Sequence, residues 1–273
     1  MAMPRPVISA FGALLAMKRE RANFLFRLKK EHGDIVRIRI GTQNIWLLSH
    51  PDLIREILVV QQKKFKKGRG IEMIKSLLGE GLLTSEGEFH LRQRRLVQPA
   101  FHRQRVASYG TTMTGYAEKM SQAWDKLGAG APVEMSQEMM RLTLEIAGKT
   151  LFDADVSDKA SEVSQALKDA FVLGERFSNP LAPVLAKLPL PSNKKFYQAK
   201  QKLDDIIYGI IAERRASNID HGDFLSMLLL AQDEEGGTGG MTDDQVRDEA
   251  LTIFLAGHET TATTLAWAIE RIR

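Results

Sequence analysis

From Asp34 to Ile40 the chain alternates Ile35, Arg37 and Arg39 with Val36, Ile38 and Ile40, and a period of two predicts a β-strand. Gly41 to Asn44 then read as a four-residue turn and Ile45 to Leu48 as the returning strand of a hairpin. Pro51 opens a helix in which Leu53, Ile54, Ile57 and Leu58 keep helical spacing, and Asp52 sits in the first turn where the helix dipole favours a negative charge. After residue 70 the apolar spacing is helical throughout. It predicts segments near 71–78, 86–98, 103–127, 135–151, 158–177, 192–217, 222–232 and from 242 onward. Breaks fall at Pro99, Gly128 to Pro132, Pro180 to Pro191 and Gly236 to Gly240. No solenoid-length repeat and no low-complexity tract interrupts the series. The prediction is a mainly α protein with a small N-terminal antiparallel sheet, organised as a single domain over 1–273.

The last helix carries the strongest signal. Thr242 and Gln245 form a capping box, each side chain placed to bond the other's backbone N–H. From Gln245 to Arg273 no stop signal follows over 29 residues, about 43 Å at 1.5 Å per residue, and the helix is expected to be cut off before its natural end. Leu251, Ile253, Phe254, Leu255, Leu265 and Trp267 surround its axis, so it should be buried on more than one face. Into this run fall Gly257, His258, Glu259, Thr260 and Thr261. Glycine is costly inside a helix, threonine hydroxyls compete for backbone carbonyls, and a carboxylate in apolar surroundings is costly unless bonded. If Thr260 turns its hydroxyl to the carbonyl of Ala256, the ladder is expected to open there, with Gly257 leaving room for a small ligand. A carboxyl and a hydroxyl beside such an opening would suit proton delivery. Periodicity alone leaves the alternative equally open: His258 and Glu259 on a polar stripe facing water.

Composition narrows the classes. With 44% hydrophobic and 26% charged residues in 273 positions the chain can bury a core and is not a disordered tail. It contains no Cys, which excludes disulfides, thiolate zinc sites, iron–sulfur ligation, a cysteine nucleophile and a thiolate haem ligand supplied from within it. The net charge of +4 is unevenly placed: residues 1–105 hold 21 Lys and Arg against 9 Asp and Glu, and the rest 17 against 25. The basic part could meet a nucleic acid, an anionic membrane, an acidic protein or an anionic cofactor. The early apolar stretch from Val7 to Met17 is 11 residues long, too short to span a bilayer. Arg5 alone precedes it and no clear cleavage site follows, which disfavours a secretory signal. The expectation is a soluble cytoplasmic protein without a transmembrane anchor.

A second constellation lies at Glu86 to Arg105, where His90 and Arg94 stand four apart on one helix face while Arg92 and Arg95 point elsewhere. A guanidinium fork with a neighbouring imidazole can grip one carboxylate or phosphate; the plainer reading is a solvated basic face. Other motifs fail on spacing. His258-Glu259 begins like a zinc-protease helix, but position 262 is Ala. Leu255 and Pro99 stand where two Glu-x-x-His pairs would need glutamates. No metal ligands are therefore assigned. There is no phosphate-gripping glycine loop, and the Lys63 to Arg69 run holds a single aromatic, Phe65, which argues against nucleic acid.

Taken together, these residues resemble the cytochrome P450 superfamily of haem-thiolate monooxygenases. Ala256 to Thr261, AGHETT, matches the oxygen-binding helix motif of that family, and the HLRQRR segment lies upstream of it as the family's order requires. The hairpin followed by PDLIREIL looks like the family's first sheet and the helix after it. The resemblance implies a P450-like helical fold, and iron protoporphyrin IX (haem b) as cofactor. His90 and Arg94 would hold the haem propionates, Ala256 and Gly257 would border the haem face, and Glu259 and Thr260 would be the acid and alcohol that assist proton delivery to dioxygen. It implies insertion of one oxygen atom of dioxygen into a hydrophobic small-molecule substrate, with electrons from a ferredoxin, a flavodoxin or a reductase. The family's axial Cys is not in this chain, so an N-terminal portion is expected, inactive alone. Glu270 to Arg273 match the family's Glu-x-x-Arg string only by coincidence, since they belong to the long helix. The rival is a non-catalytic helical protein that binds an apolar ligand or an acidic partner.

Overall fold

The computed structural model describes residues 16, 19–40, 43–154, 166, 188, 190–217, 219–233 and 239–272. The helix expected at 158–177 and the early apolar stretch at 7–17 lie almost wholly outside the described residues. The chain divides into two compact units, Met1–Lys66 and Lys67–Arg273.

In the first unit α1 (Arg21–His32) carries Phe24 and Leu28 one turn apart, and Gly33 ends it at φ 85°. Strands β1 (Ile35–Ile40) and β2 (Gln43–Leu48) pair antiparallel. Period two places Val36 and Ile38 on one face, where they are 1% exposed and pack with Phe24 and Leu28. On β1, Arg37 instead bonds Asn44 at 3.1 Å and lies over the Trp46 ring. The expected four-residue turn is shorter: Ile40 pairs with Gln43 and Arg39 with Asn44, because the ladder gains two pairs by continuing through those residues. Helix α2 (Pro51–Arg55) starts at the predicted proline and widens at Glu56–Val60, where Gln61 N–H reaches the Glu56 carbonyl five residues back.

The second unit holds α3 (Arg69–Leu78), α4 (Gly87–Val97), α5 (Arg103–Asp125), α6 (Met135–Phe152), α7 (Pro191–Ser217), α8 (Phe224–Leu230) and α9 (Asp243–Ile272). The capping box that opens α9 forms as its sequence requires: Gln245 N–H donates to Thr242 Oγ1 at 3.2 Å, and Thr242 N–H to Gln245 Oε1 at 3.1 Å. Helix α9 is the axis of this unit. Val246, Ala250 and Leu251 are fully buried in a core shared with Leu203 and Ile207 of α7 and Leu225 and Leu228 of α8. Further along, Ala262 packs with Met139 and Leu142 of α6. The fold is mainly α with one small antiparallel sheet among the described residues. None of the described helices is long and apolar enough to cross a membrane.

Candidate active site

The expected opening in α9 is absent. The helix is continuous from Asp243 to Ile272, although Thr260 does turn its hydroxyl to the Ala256 carbonyl, at 2.5 Å. A carbonyl oxygen has two lone pairs, so it can accept the hydroxyl and still keep the helical N–H. Thr264 repeats the device one turn on, donating to the Thr260 carbonyl at 2.8 Å.

The five unusual residues separate by environment. Ala256, Gly257, Glu259, Thr260 and Thr261 are exposed, whereas His258 is 1% exposed. Its ring stacks on Phe254 at 3° and donates from Nε2 to the Met140 carbonyl of α6 at 3.1 Å. Burial holds the imidazole below the ordinary histidine range, so the ring is neutral and pins α9 to α6. The polar-stripe alternative therefore holds for Glu259 and fails for His258. A side chain added at Gly257 would meet no protein atom within 4 Å. The exposed face is thus built of small residues and hydroxyls, with Glu259 beside them.

On α4, His90 is half-buried; its Nδ1 lies 3.3 Å from Ser85 Oγ in a hydrogen bond, and the ring also bonds the Leu82 backbone. Burial, reinforced by the Lys67 ammonium, holds its pKa below the usual value. Arg94 is exposed and has no carboxylate partner among the described residues. Arg92 and Arg95 point elsewhere, as their spacing requires: both meet Asp233, at 3.3 Å each, and Arg92 also donates to the carbonyls of Gly239 and Gly240. No hydrogen bond or ion pair among the described residues joins His90 or Arg94 to Ala256–Thr260.

The link between the two helices is one that sequence reasoning missed. Glu249 of α9 is fully buried; its Oε2 accepts from Leu82 N–H at 3.0 Å and its Oε1 from the Gln93 amide of α4 at 3.0 Å. Its neighbour Asp248 accepts from Glu80 N–H at 2.6 Å. The chain between α3 and α4 comes so close that a side chain at Gly79, where φ is +68°, would collide with the Asp248 carboxylate, and one at Gly81 would lie 2.5 Å from Thr252 Oγ1. Spacing gives only the stripe of Glu249. Ala256 and Thr260 follow Glu249 by 7 and 11 residues, which at 3.6 residues per turn puts all three within about 20° of one stripe. Gln93 therefore joins α4 to the stripe of α9 on which Ala256 and Thr260 also lie.

A porphyrin carrying carboxylates fits the residues present on that side. An arginine without an acid partner, with an imidazole on the same helix face, suits propionates, and small residues on an exposed helix face admit a flat ring. The chain supplies no thiolate.

Three known proteins match more than nine-tenths of this chain. Cyclooctatin synthase of Streptomyces melanosporofaciens is 40% identical over 261 residues, 94% of this chain and 55% of that protein. Cyclooctat-9-en-7-ol 5-monooxygenase of the same organism is 35% identical, over 96% and 56%. Pentalenene oxygenase of Streptomyces avermitilis is 32% identical, over 95% and 57%. The chain thus spans little more than half the length of these relatives. The sequence profile described as Cytochrome P450 matches residues 3–272, and the chain belongs to the cytochrome P450 family.

Proposed function

We propose that this chain is the oxygen-binding and propionate-binding portion of a haem monooxygenase that oxidises an apolar organic substrate. When bound, the haem supplies dioxygen activation, driven by electrons from a redox partner of the ferredoxin, flavodoxin or reductase class. In this chain Arg94 offers a two-pronged donor to a propionate, and a ring N–H of the neutral His90 would add a second bond without adding charge. Ala256 and Gly257 keep the ring face clear. Thr260 Oγ1, already bonded to Ala256, presents its lone pairs to a ligand on the exposed side, and the Glu259 carboxylate one residue earlier takes and returns the proton. The observation that supports this reading is the hydrogen bond from Gln93, the residue before the unpaired Arg94, to Glu249, which shares a helix stripe with Ala256 and Thr260.

Relatives named for oxygenating pentalenene and cyclooctat-9-en-7-ol support a hydrophobic substrate. Because the chain has no Cys, the thiolate must come from elsewhere, and we expect no turnover from these 273 residues alone. The test joins this chain to the remaining portion of cyclooctatin synthase. The chimera should give the ferrous–CO absorption band of a thiolate haem, and the chain alone should not. In the chimera Thr260→Ala should divert reducing equivalents to hydrogen peroxide; unchanged coupling would remove Thr260 from proton delivery. A chimera that folds and binds no haem would overturn the reading, in favour of a non-catalytic binding protein.

A further inference from the structure

The hydrogen bonds around Glu249 do more than fill a core. Leu82 N–H and Gln93 Nε2 end on its two oxygens. The carbonyls of Leu82 and Ser85 accept from the Lys67 ammonium at 3.2 and 2.7 Å, and Ser85 Oγ meets His90 Nδ1. An unbroken series of bonded residues therefore runs from Glu249 through 82–85 to the ring of His90. A second, shorter one passes through Gln93, the residue before Arg94. We propose that Glu249 is a positioning residue, whose buried carboxyl fixes where His90 and Arg94 stand relative to Ala256 and Thr260. The inference rests on the haem reading above, since it gives the positioned pair its purpose.

Two donors facing one side chain call for an acceptor, and glutamine could provide it. A carboxyl adds a removable proton. Burial, together with the neighbouring Asp248 carboxylate, pushes Glu249 up to about 7, against the opposing pull of Leu82 N–H, Gln93 and the Lys67 ammonium. The other groups here are His90, held neutral, and Glu86, which accepts from Lys67 N–H at 2.6 Å. Gln93 is equipped for either state: its Oε1 is buried without a partner, so a half turn of the amide lets it accept from a protonated Glu249. The hold on α4 thus changes character near neutral pH while its partners stay in place.

Glu249→Gln and Glu249→Ala in this chain test the proposal, with amide hydrogen exchange and binding of zinc protoporphyrin IX, in free-acid and dimethyl-ester forms, as readouts. In Glu249→Ala the Leu82 amide and the α4 amides should exchange about tenfold faster while α6 is unchanged. Glu249→Gln should keep them protected. Free-acid porphyrin should bind about tenfold more weakly to Arg94→Ala and to Glu249→Ala, and the double variant should be no weaker than either, because the second change acts through the first. The diester should not distinguish them. Unchanged exchange at Leu82 in Glu249→Ala, or additive losses in the double variant, would overturn the positioning role. If Arg94→Ala leaves binding of the free acid unchanged while Leu82 loses protection, the haem reading falls and the hold on α4 stands. Should Glu249→Ala fail to fold, Glu249→Gln decides by its pH profile. A carboxyl raised by burial favours the fold fully below its ordinary value of about 4.5 and loses that share as pH rises through about 7. Urea midpoints of the native chain should therefore fall relative to Glu249→Gln across that window, and parallel profiles would overturn the titration.

Discussion

An imidazole that is 1% exposed gives up nearly all its water, and only specific partners make that tolerable. His258 has two: the Phe254 ring it stacks on and the Met140 carbonyl it donates to. His258→Ala removes both and leaves a cavity between α9 and α6, and should cost about 2 to 4 kcal/mol in urea unfolding. The pH profile gives the same residue a second signature. With its pKa held low by burial, His258 contributes stability above the ordinary value of about 6.5 that is lost as pH falls through its lower folded value. An unchanged acid limb in His258→Ala would contradict the buried, neutral ring. At this scale the sequence is a partial guide. The 256–261 motif locates the exposed face, and spacing separates His90 and Arg94 from Arg92 and Arg95. Glu249 is not legible in the same way, because its burial depends on Leu82 and Gln93, more than 150 residues away in the chain, and local periodicity carries no such information.

Among elements, α9 answers a question that its composition raised. Gly257 and the threonines do not break it, because each hydroxyl shares its carbonyl with the helical N–H and the glycine stays in helical conformation. Gly257→Ala should therefore stabilise the isolated chain by about 0.5 to 1 kcal/mol, the ordinary gain of alanine over glycine inside a helix. The same change should weaken zinc protoporphyrin binding if this face receives the ring. A destabilised Gly257→Ala would reveal a contact at that position. Segment boundaries are mostly legible in the sequence, since the capping box and the breaks at Pro99 and Gly128 to Pro132 are local chemistry. The hairpin turn is not, because strand pairing, a partner's property, decides how far a ladder runs.

At the scale of the helical unit, Arg247 does for structure what Glu249 does for the site. It is 3% exposed, pairs with Asp204 of α7 and Asp248, and donates to the Leu77 carbonyl of α3 at 3.0 Å. Asp204→Ala strands much of that charge and should cost about 3 to 5 kcal/mol, whereas the double change Asp204→Leu with Arg247→Met should recover most of it. A single change as mild as the double would show that the pair is solvated.

Residues 247, 248 and 249 receive or make hydrogen bonds across 170, 168, 167 and 156 positions of sequence. Closing loops of that length is entropically slow, and a growing polypeptide cannot begin until that stretch has left the ribosome. The 79–85 segment and the N-terminal part of α4 must then wait without their seat while the intervening 156 to 170 residues are made, and we expect a chaperone or a protease to engage the nascent protein there.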